Sequence, residues 1–154
     1  MTHIIGIFRN YHLMCALSGF LIAQIAKFII TLIIHKKIDF HKLLCNGGMP
    51  SSHTSTVCSL AVSIGIVYGT SDPLFAIAVV LAMIVMIDAM GVRRAAGEQA
   101  KVLNKIARDL FEKGTAQYLA KDLKEYVGHT PFQVLIGAVV GIITPFILYV
   151  LWTR

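Results

Sequence analysis

Histidine, lysine, arginine and carboxylate side chains occur in four short polar clusters, each inside or beside a long apolar run. Together they suit the binding and cleavage of a phosphate ester. Cations can hold the phosphoryl oxygens, one imidazole can attack phosphorus, and another can protonate the leaving oxygen. Such an inventory does not require a metal ion, and we expect neither a metal nor another cofactor.

The first cluster is Gln24 with Lys27. A spacing of three places both residues on the same side of a helix. Lys27 lies well inside an apolar run, where burying a charge costs a few kcal/mol even on the lenient scale. Two interpretations stay open: the side chain extends to the membrane surface, or it contacts an anion in a polar cavity.

The second cluster reads Gly47-Gly48-Met49-Pro50-Ser51-Ser52-His53-Thr54. Proline followed by serines predicts the start of a helix. A helix N-terminus presents unpaired N–H groups, which can seat a phosphate. In this setting Ser51 and Ser52 are candidate phosphate ligands, and His53 is a candidate proton donor. The alternative is an ordinary capped helix with an incidental histidine.

The third cluster contains Asp88, Arg93 and Arg94 at the end of an apolar run. Paired arginines can make two-pronged contacts with phosphate oxygens. They could equally serve only to anchor a membrane-spanning helix. A carboxylate at the end of a span usually has a cationic partner, so Asp88 favours the functional interpretation.

The fourth cluster contains Glu125 and His129, four residues apart. On a continuous helix the carboxylate would orient the imidazole, as in many acid–base pairs. Gly128 makes a continuous helix uncertain here. A surface histidine at the start of a helix is the alternative.

The composition indicates that the chain lies in a membrane. Hydrophobic residues make up 56% and charged residues 14%, whereas a soluble domain carries roughly 25% charged residues. Spanning helices of ~20 residues are predicted at about 11–34, 52–69, 73–90 and 131–152. We therefore expect an all-α polytopic membrane bundle with about four transmembrane helices, forming a single domain over 1–154.

Two further features describe how this bundle is arranged. Apolar residues recur at helical spacing over about 95–127, which predicts interfacial amphipathic helices interrupted at Gly114. Glycines four apart, in the pairs Gly65/Gly69 and Gly137/Gly141, would permit close helix contacts. The alternative is that glycine is simply frequent in membrane helices.

The distribution of basic residues predicts an orientation. Four spans place both termini on one side, and all lysines and arginines except Arg9, Lys27 and Arg154 lie on the other. Basic loops remain cytoplasmic. We therefore expect an integral protein of a bacterial plasma membrane that has cytoplasmic motif loops and extracytoplasmic termini. The net charge of +6 is thereby explained without a nucleic-acid partner.

The clusters together resemble a known family, the divergent branch of the type-2 phosphatidic acid phosphatases. That branch is related to acid phosphatases and vanadium-dependent haloperoxidases. The resemblance extends from about Tyr11 to the C-terminus. The motifs that carry it are Gln24-x-x-Lys27, Gly47 to His53, Asp88-Ala89-x-Gly91-Val92-Arg93-Arg94, Gly97-x-Gln99-Ala100 and Glu125-x-x-Gly128-His129-Thr130-Pro131.

The resemblance implies roles for individual residues. The superfamily holds phosphate with lysine and arginine, attacks with a histidine backed by a carboxylate, and protonates the leaving group with a second histidine. Pro50-Ser51-Ser52-His53 resembles its Pro-Ser-Gly-His motif, so His53 would be the acid. The phosphate-binding set would be Lys27, Ser51, Ser52, Arg93 and Arg94.

The chain departs from the superfamily pattern at two places. No Arg-Pro follows Lys27 at the expected distance, where Ile34 stands. The histidine nucleophile is also missing from its usual position, because the sixth residue after Arg94 is Ala100. We infer that His129 takes this role with Glu125 behind it, and that Asp88 completes the catalytic set.

Two functions from different classes follow. The first is a phosphoric monoester hydrolase that acts on a lipid phosphate or diphosphate at the cytoplasmic leaflet. The second is a non-catalytic membrane protein that binds or transports a phosphorylated lipid or another anion. Membrane lipids are expected partners in both cases, and the sequence is compatible with a homo-oligomer.

Overall fold

The computed structural model describes residues 6–35, 48–112, 123 and 128–153, and all regular structure within them is helical. There are five main helices, which we number α1 (Tyr11–His35), α2 (Ser52–Tyr68), α3 (Pro73–Met90), α4 (Val92–Glu112) and α5 (Pro131–Trp152). The all-α prediction is confirmed, and the predicted span boundaries lie within one residue of these helix ends.

Three helices of the described chain are long and apolar enough to cross a membrane: α1, the helical stretch that begins with α3, and α5. Fewer than a third of the residues in each apolar stretch are buried inside the bundle. The remaining apolar side chains face outward, as lipid contact requires. The chain is therefore an all-α membrane bundle. The predicted 52–69 span corresponds to α2, which is shorter at 17 residues.

Helix α2 is the centre of the bundle and packs against α1, α3 and α5. Hydroxyl groups along it are buried and bonded to the backbones of its neighbours. Ser55 donates to the Gly19 carbonyl at 2.8 Å, and Ser59 donates to the Gly141 carbonyl at 3.0 Å. These bonds satisfy the serines away from water and fix α1 and α5 on either side of α2.

The glycine pair of α5 makes the predicted close contact. A Cβ at Gly137 would lie 2.5 Å from the Ser51 carbonyl oxygen, and one at Gly141 would lie 2.5 Å from the Ser55 carbonyl oxygen. Only glycine allows this approach of α5 to α2. The prediction for the other pair is wrong at Gly69, which ends α2 in a left-handed conformation (φ 86°) with open space around it.

Helix α4 follows α3 after Gly91 and has the expected amphipathic character. Its apolar residues Val102, Leu103 and Ile106 are exposed. Asn104 is buried and exchanges two hydrogen bonds of 2.9 Å with the backbone of Leu123. The predicted interfacial segment over 95–127 is thus helical as far as Glu112, and its second predicted helix lies outside the described residues.

Candidate functional site

Lys27 lies in the interior of α1 and only 4% of it is exposed. The backbone of Gly48 covers its aliphatic stem: a Cβ there would lie 3.5 Å from Lys27 Cδ. Gly48 has φ +97°, a conformation that favours glycine. Of the two interpretations left open by the sequence, this burial favours an internal polar site over extension to the surface.

The predicted helix start at Ser51 is confirmed. Its side-chain oxygen accepts from the Thr54 N–H at 3.4 Å, and Ser51 and Ser52 are both buried. His53 follows in the first turn and is half-buried. Its electrostatic neighbours are Arg93, Lys27 and Asp88. The same turn is therefore a capped helix start and part of a charged cluster.

Asp88 has the cationic partner that its position predicted. Arg93 Nε donates to Asp88 Oδ2 at 2.6 Å, and both side chains are more than a third exposed. The neighbouring Arg94 is exposed, and its backbone packs tightly against Gly128, where a Cβ would clash. The ion pair positions the Arg93 guanidinium, and the tight backbone contact fixes the start of α4 against the segment before α5.

His129 is buried, with 3% of it exposed. Its Nδ1 lies 3.3 Å from Gln133 Oε1. The Thr130 backbone N–H donates to that same atom at 3.1 Å, which identifies it as the amide oxygen. Because an oxygen acceptor requires a donor, His129 Nδ1 carries the proton. The neutral imidazole therefore keeps its lone pair on Nε2.

The surroundings of His129 favour this neutral form. Burial lowers the pKa of its imidazole below the ordinary value, because the charged form is poorly solvated there. The hydrogen bond to Gln133 opposes the shift, whereas the positive charges of Lys27, His53 and Arg93 add to it. His129 thus combines a defined tautomer with a lone pair available at neutral pH.

Backbone hydrogen bonds join the segments that carry these groups. The Ser51 N–H donates to the Gln133 carbonyl, and the His129 N–H donates to the Ala89 carbonyl, both at 3.1 Å. The start of α2, the end of α3 and the start of α5 are thereby held together. Sequence reasoning missed Gln133 as a site residue, although Thr130-x-x-Gln133 has the spacing of a capping box, which the structure forms.

The structure thus places Lys27, Asp88 and Arg93 within electrostatic range of His53, and Lys27, His53 and Arg93 within that range of His129. Glu125 lies outside the described residues, so its predicted place behind His129 stays a prediction. Among the residues that the structure describes, no three His, Cys, Asp or Glu side chains are grouped as a metal site would need.

Comparison with known proteins supports the resemblance seen in the motifs. The model of the Divergent PAP2 family matches residues 8–144, which include all the clustered residues. The chain belongs to this family. It is also 37% identical over 148 residues to the uncharacterized membrane protein YuiD of Bacillus subtilis (strain 168), with 90% of this chain and 94% of the relative covered. No solved structure matches.

Proposed function

We propose that the chain is a membrane phosphatase that hydrolyses a lipid phosphate or diphosphate monoester. The observation that carries the proposal is the buried His129, which has His53 and the positive charges of Lys27 and Arg93 near it. A dianionic phosphate would be attracted to these cations. The same neighbours that disfavour a second positive charge on His129 would thus favour an anionic ligand beside it.

In the proposed first step, the lone pair of His129 Nε2 attacks phosphorus, and the bond from phosphorus to the lipid oxygen breaks. His53 donates a proton to the departing alkoxide from its protonated form, which the negative charge of the bound phosphate favours. Lys27 and Arg93 hold the phosphoryl oxygens, with Arg94, Ser51 and Ser52 as further candidates. The products of this step are the lipid alcohol and a phosphohistidine.

In the second step, neutral His53 accepts a proton from water, and the resulting hydroxide attacks phosphorus. The N–P bond breaks, its electron pair returns to Nε2, and inorganic phosphate leaves. His53 is again protonated, so the cycle closes. Gln133 orients His129 in this scheme through Nδ1, the function that sequence reasoning gave to Glu125.

A second candidate function is binding or transport of a phosphorylated lipid without hydrolysis. Ala100 favours it, because this residue occupies the position of the usual histidine nucleophile and is buried in the structure. The same cations would then form an anion site. The two functions differ in whether a phosphohistidine forms.

We also propose that the site faces the cytoplasm of a bacterial plasma membrane, with both termini outside. The basic residues concentrated on the motif side support this orientation. A reporter enzyme fused after Arg154 should behave as extracytoplasmic. A cytoplasmic reporter signal would reverse the orientation and move the substrate to the other leaflet.

The deciding experiment compares His53→Ala with His129→Ala in purified protein, using lipid phosphates and a p-nitrophenyl phosphate substrate. Loss of a general acid costs ~10²–10⁴-fold in rate, and the good leaving group should restore much of the activity of His53→Ala. His129→Ala should form no phosphoenzyme, and neither substrate should restore its activity. Chelator should change little.

The alternatives give different results in the same assay. Full activity in His129→Ala, or loss of activity with chelator, would contradict the covalent mechanism. Binding of a lipid phosphate that raises the melting temperature of the wild type, without release of phosphate, would favour the binding protein. Exposed Lys101, which pairs with Glu98, provides a charge-loss control as Lys101→Gln.

A further inference from the structure

A cavity lies at the opposite end of the bundle from the residues of the proposed phosphate site. It measures about 550 Å³ and opens between the start of α1 and the ends of α2 and α5. Its lining combines aromatic rings with one cation, and the residues that matter here are Arg9, Tyr11, His12, Tyr68, Tyr149 and Trp152. The mechanism proposed above uses none of them.

The rings of this cavity contact each other. Tyr11 is central: its ring centroid lies 6.1 Å from that of Tyr149 and 5.8 Å from that of Trp152. Its hydroxyl donates to the Pro145 carbonyl at 2.8 Å, which holds the ring in place. His12 continues the series, 5.3 Å from the ring of Tyr68. The cavity wall is thus a pre-formed apolar surface with polar edges.

The hydrogen bonding of His12 defines what it can offer a ligand. The Ser63 hydroxyl donates its proton to the Leu60 carbonyl at 2.8 Å, so its oxygen accepts from His12 Nδ1 at 3.1 Å. Nδ1 therefore carries hydrogen, and the neutral ring has its acceptor at Nε2. Such a ring can accept a hydrogen bond from a ligand hydroxyl.

The positive charge at the cavity favours an anionic group as the second feature of the ligand. Arg9 is exposed at the rim, and no acidic side chain is among the residues that line the cavity in the described chain. We propose that this cavity binds the headgroup of an anionic phospholipid that carries a hydroxyl. The phosphodiester contacts Arg9, the hydroxyl donates to His12, and the upper acyl chain lies along the rings of Tyr149 and Trp152.

The simplest alternative is an aromatic belt, since tyrosine and tryptophan often lie at membrane surfaces. A belt has no preference for headgroup charge or hydroxyls, so headgroup selectivity decides between the two. The inference does not depend on phosphatase activity. The ligand is a phosphodiester, which a monoesterase leaves intact.

Trp152 is the only tryptophan of the chain, so its fluorescence reports on the cavity directly. Purified full-length protein in detergent is titrated with dioctanoyl phosphatidylglycerol, phosphatidylmethanol (the same anion without a headgroup hydroxyl) and phosphatidylcholine. We expect saturable binding that is tightest for phosphatidylglycerol. Arg9→Gln should raise the Kd for both anionic lipids about tenfold, as expected for loss of a charged contact.

His12→Phe keeps a ring beside Tyr68 and removes the acceptor. It should abolish the preference for phosphatidylglycerol over phosphatidylmethanol while leaving binding of the latter unchanged. Lys101→Gln, on α4, should bind like the wild type. Equal curves for phosphatidylglycerol and phosphatidylcholine would overturn the proposal in favour of a belt. Binding of free glycerol 3-phosphate as tight as that of the lipid would overturn it in favour of a water-soluble anion.

Discussion

His129 Nδ1 lies 3.3 Å from Gln133 Oε1, and the same oxygen accepts the Thr130 N–H that begins α5. One amide therefore caps a membrane helix and fixes the tautomer of a buried imidazole. This double use connects the stability of the helix start to the chemistry proposed for the site. It also explains why an amide suits the position: its oxygen cannot take the proton from His129.

The first prediction concerns the pH dependence of hydrolysis. His129 must be neutral to attack, and its pKa is lowered from the usual value of about 6.5. Activity should therefore persist below that pH and fall only as the pH drops through the lowered pKa. Gln133→Glu places a carboxylate beside the ring and favours the imidazolium. The acidic limb of the kcat/KM profile, which reports the ionisation of the free protein, should then move to higher pH.

Gln133→Leu tests the same contact in the other direction. It removes the hydrogen bond that raises the pKa, so the acidic limb should move to still lower pH, while the rate at the plateau falls because the tautomer is no longer fixed. The exposed Gln99 provides a control, and Gln99→Glu should leave the profile in place. An unchanged profile in Gln133→Glu would remove His129 from the nucleophile's role.

The second prediction separates stability from activity at Asp88. Its ion pair with Arg93 is short at 2.6 Å, but both side chains are more than a third exposed. Such pairs contribute about 0–1 kcal/mol to stability. Asp88→Asn should therefore shift the melting temperature little. The KM for a lipid phosphate should rise several-fold, because the guanidinium of Arg93 loses its fixed position.

Unchanged KM together with a strongly lowered melting temperature in Asp88→Asn would contradict this assignment and make the pair structural. Glu98→Gln provides the comparison, since Glu98 pairs with Lys101 on the exposed side of α4. It should affect neither quantity.

The third prediction tests the contact between α5 and α2. A Cβ at Gly141 would lie 2.5 Å from the Ser55 carbonyl oxygen and 2.7 Å from Cys58 Cβ. Gly141→Ala should lower stability by about 1–3 kcal/mol, as overpacking does. Gly6→Ala is the matched control, because no atom lies within 4 Å of the added Cβ. Equal melting temperatures of Gly141→Ala and Gly6→Ala in detergent would contradict the close helix contact.

The sequence predicted the helices well because their signals are local. Apolar runs of membrane length predicted the long helices, and Pro50 with the serines after it predicted the start of α2. Gly69 was misassigned because a spacing of four does not distinguish a helix contact from a helix end. That distinction depends on which neighbour faces the residue, and only the packed structure shows it.

The sequence identified most residues of the site, but it did not identify the residues that they contact. Motif spacing identified Lys27, His53, Asp88, Arg93 and His129, which the structure groups. Gln133 was missed because its side chain turns back toward the residues before α5, a direction that depends on the cap. The cavity around His12 was missed because its members come from three helix ends that are far apart in the chain.

The last prediction concerns Lys27, whose burial is the least expected feature of the bundle for a protein in lipid. Lys27→Met keeps the length of the side chain and removes its charge. The substitution removes the cost of a charge inside a membrane bundle, a few kcal/mol, together with the interactions of the ammonium group. Because these two effects oppose each other, we expect a small change in melting temperature. Binding of inorganic phosphate, measured as protection against heating, should be lost together with hydrolysis.

Lys101→Met, at an exposed position, should retain both phosphate binding and hydrolysis. A functional lysine predicts this loss of phosphate binding without a comparable loss of stability. A marked fall in the melting temperature of Lys27→Met, with phosphate protection intact, would instead make Lys27 part of the internal framework and leave Arg93 as the principal anion contact.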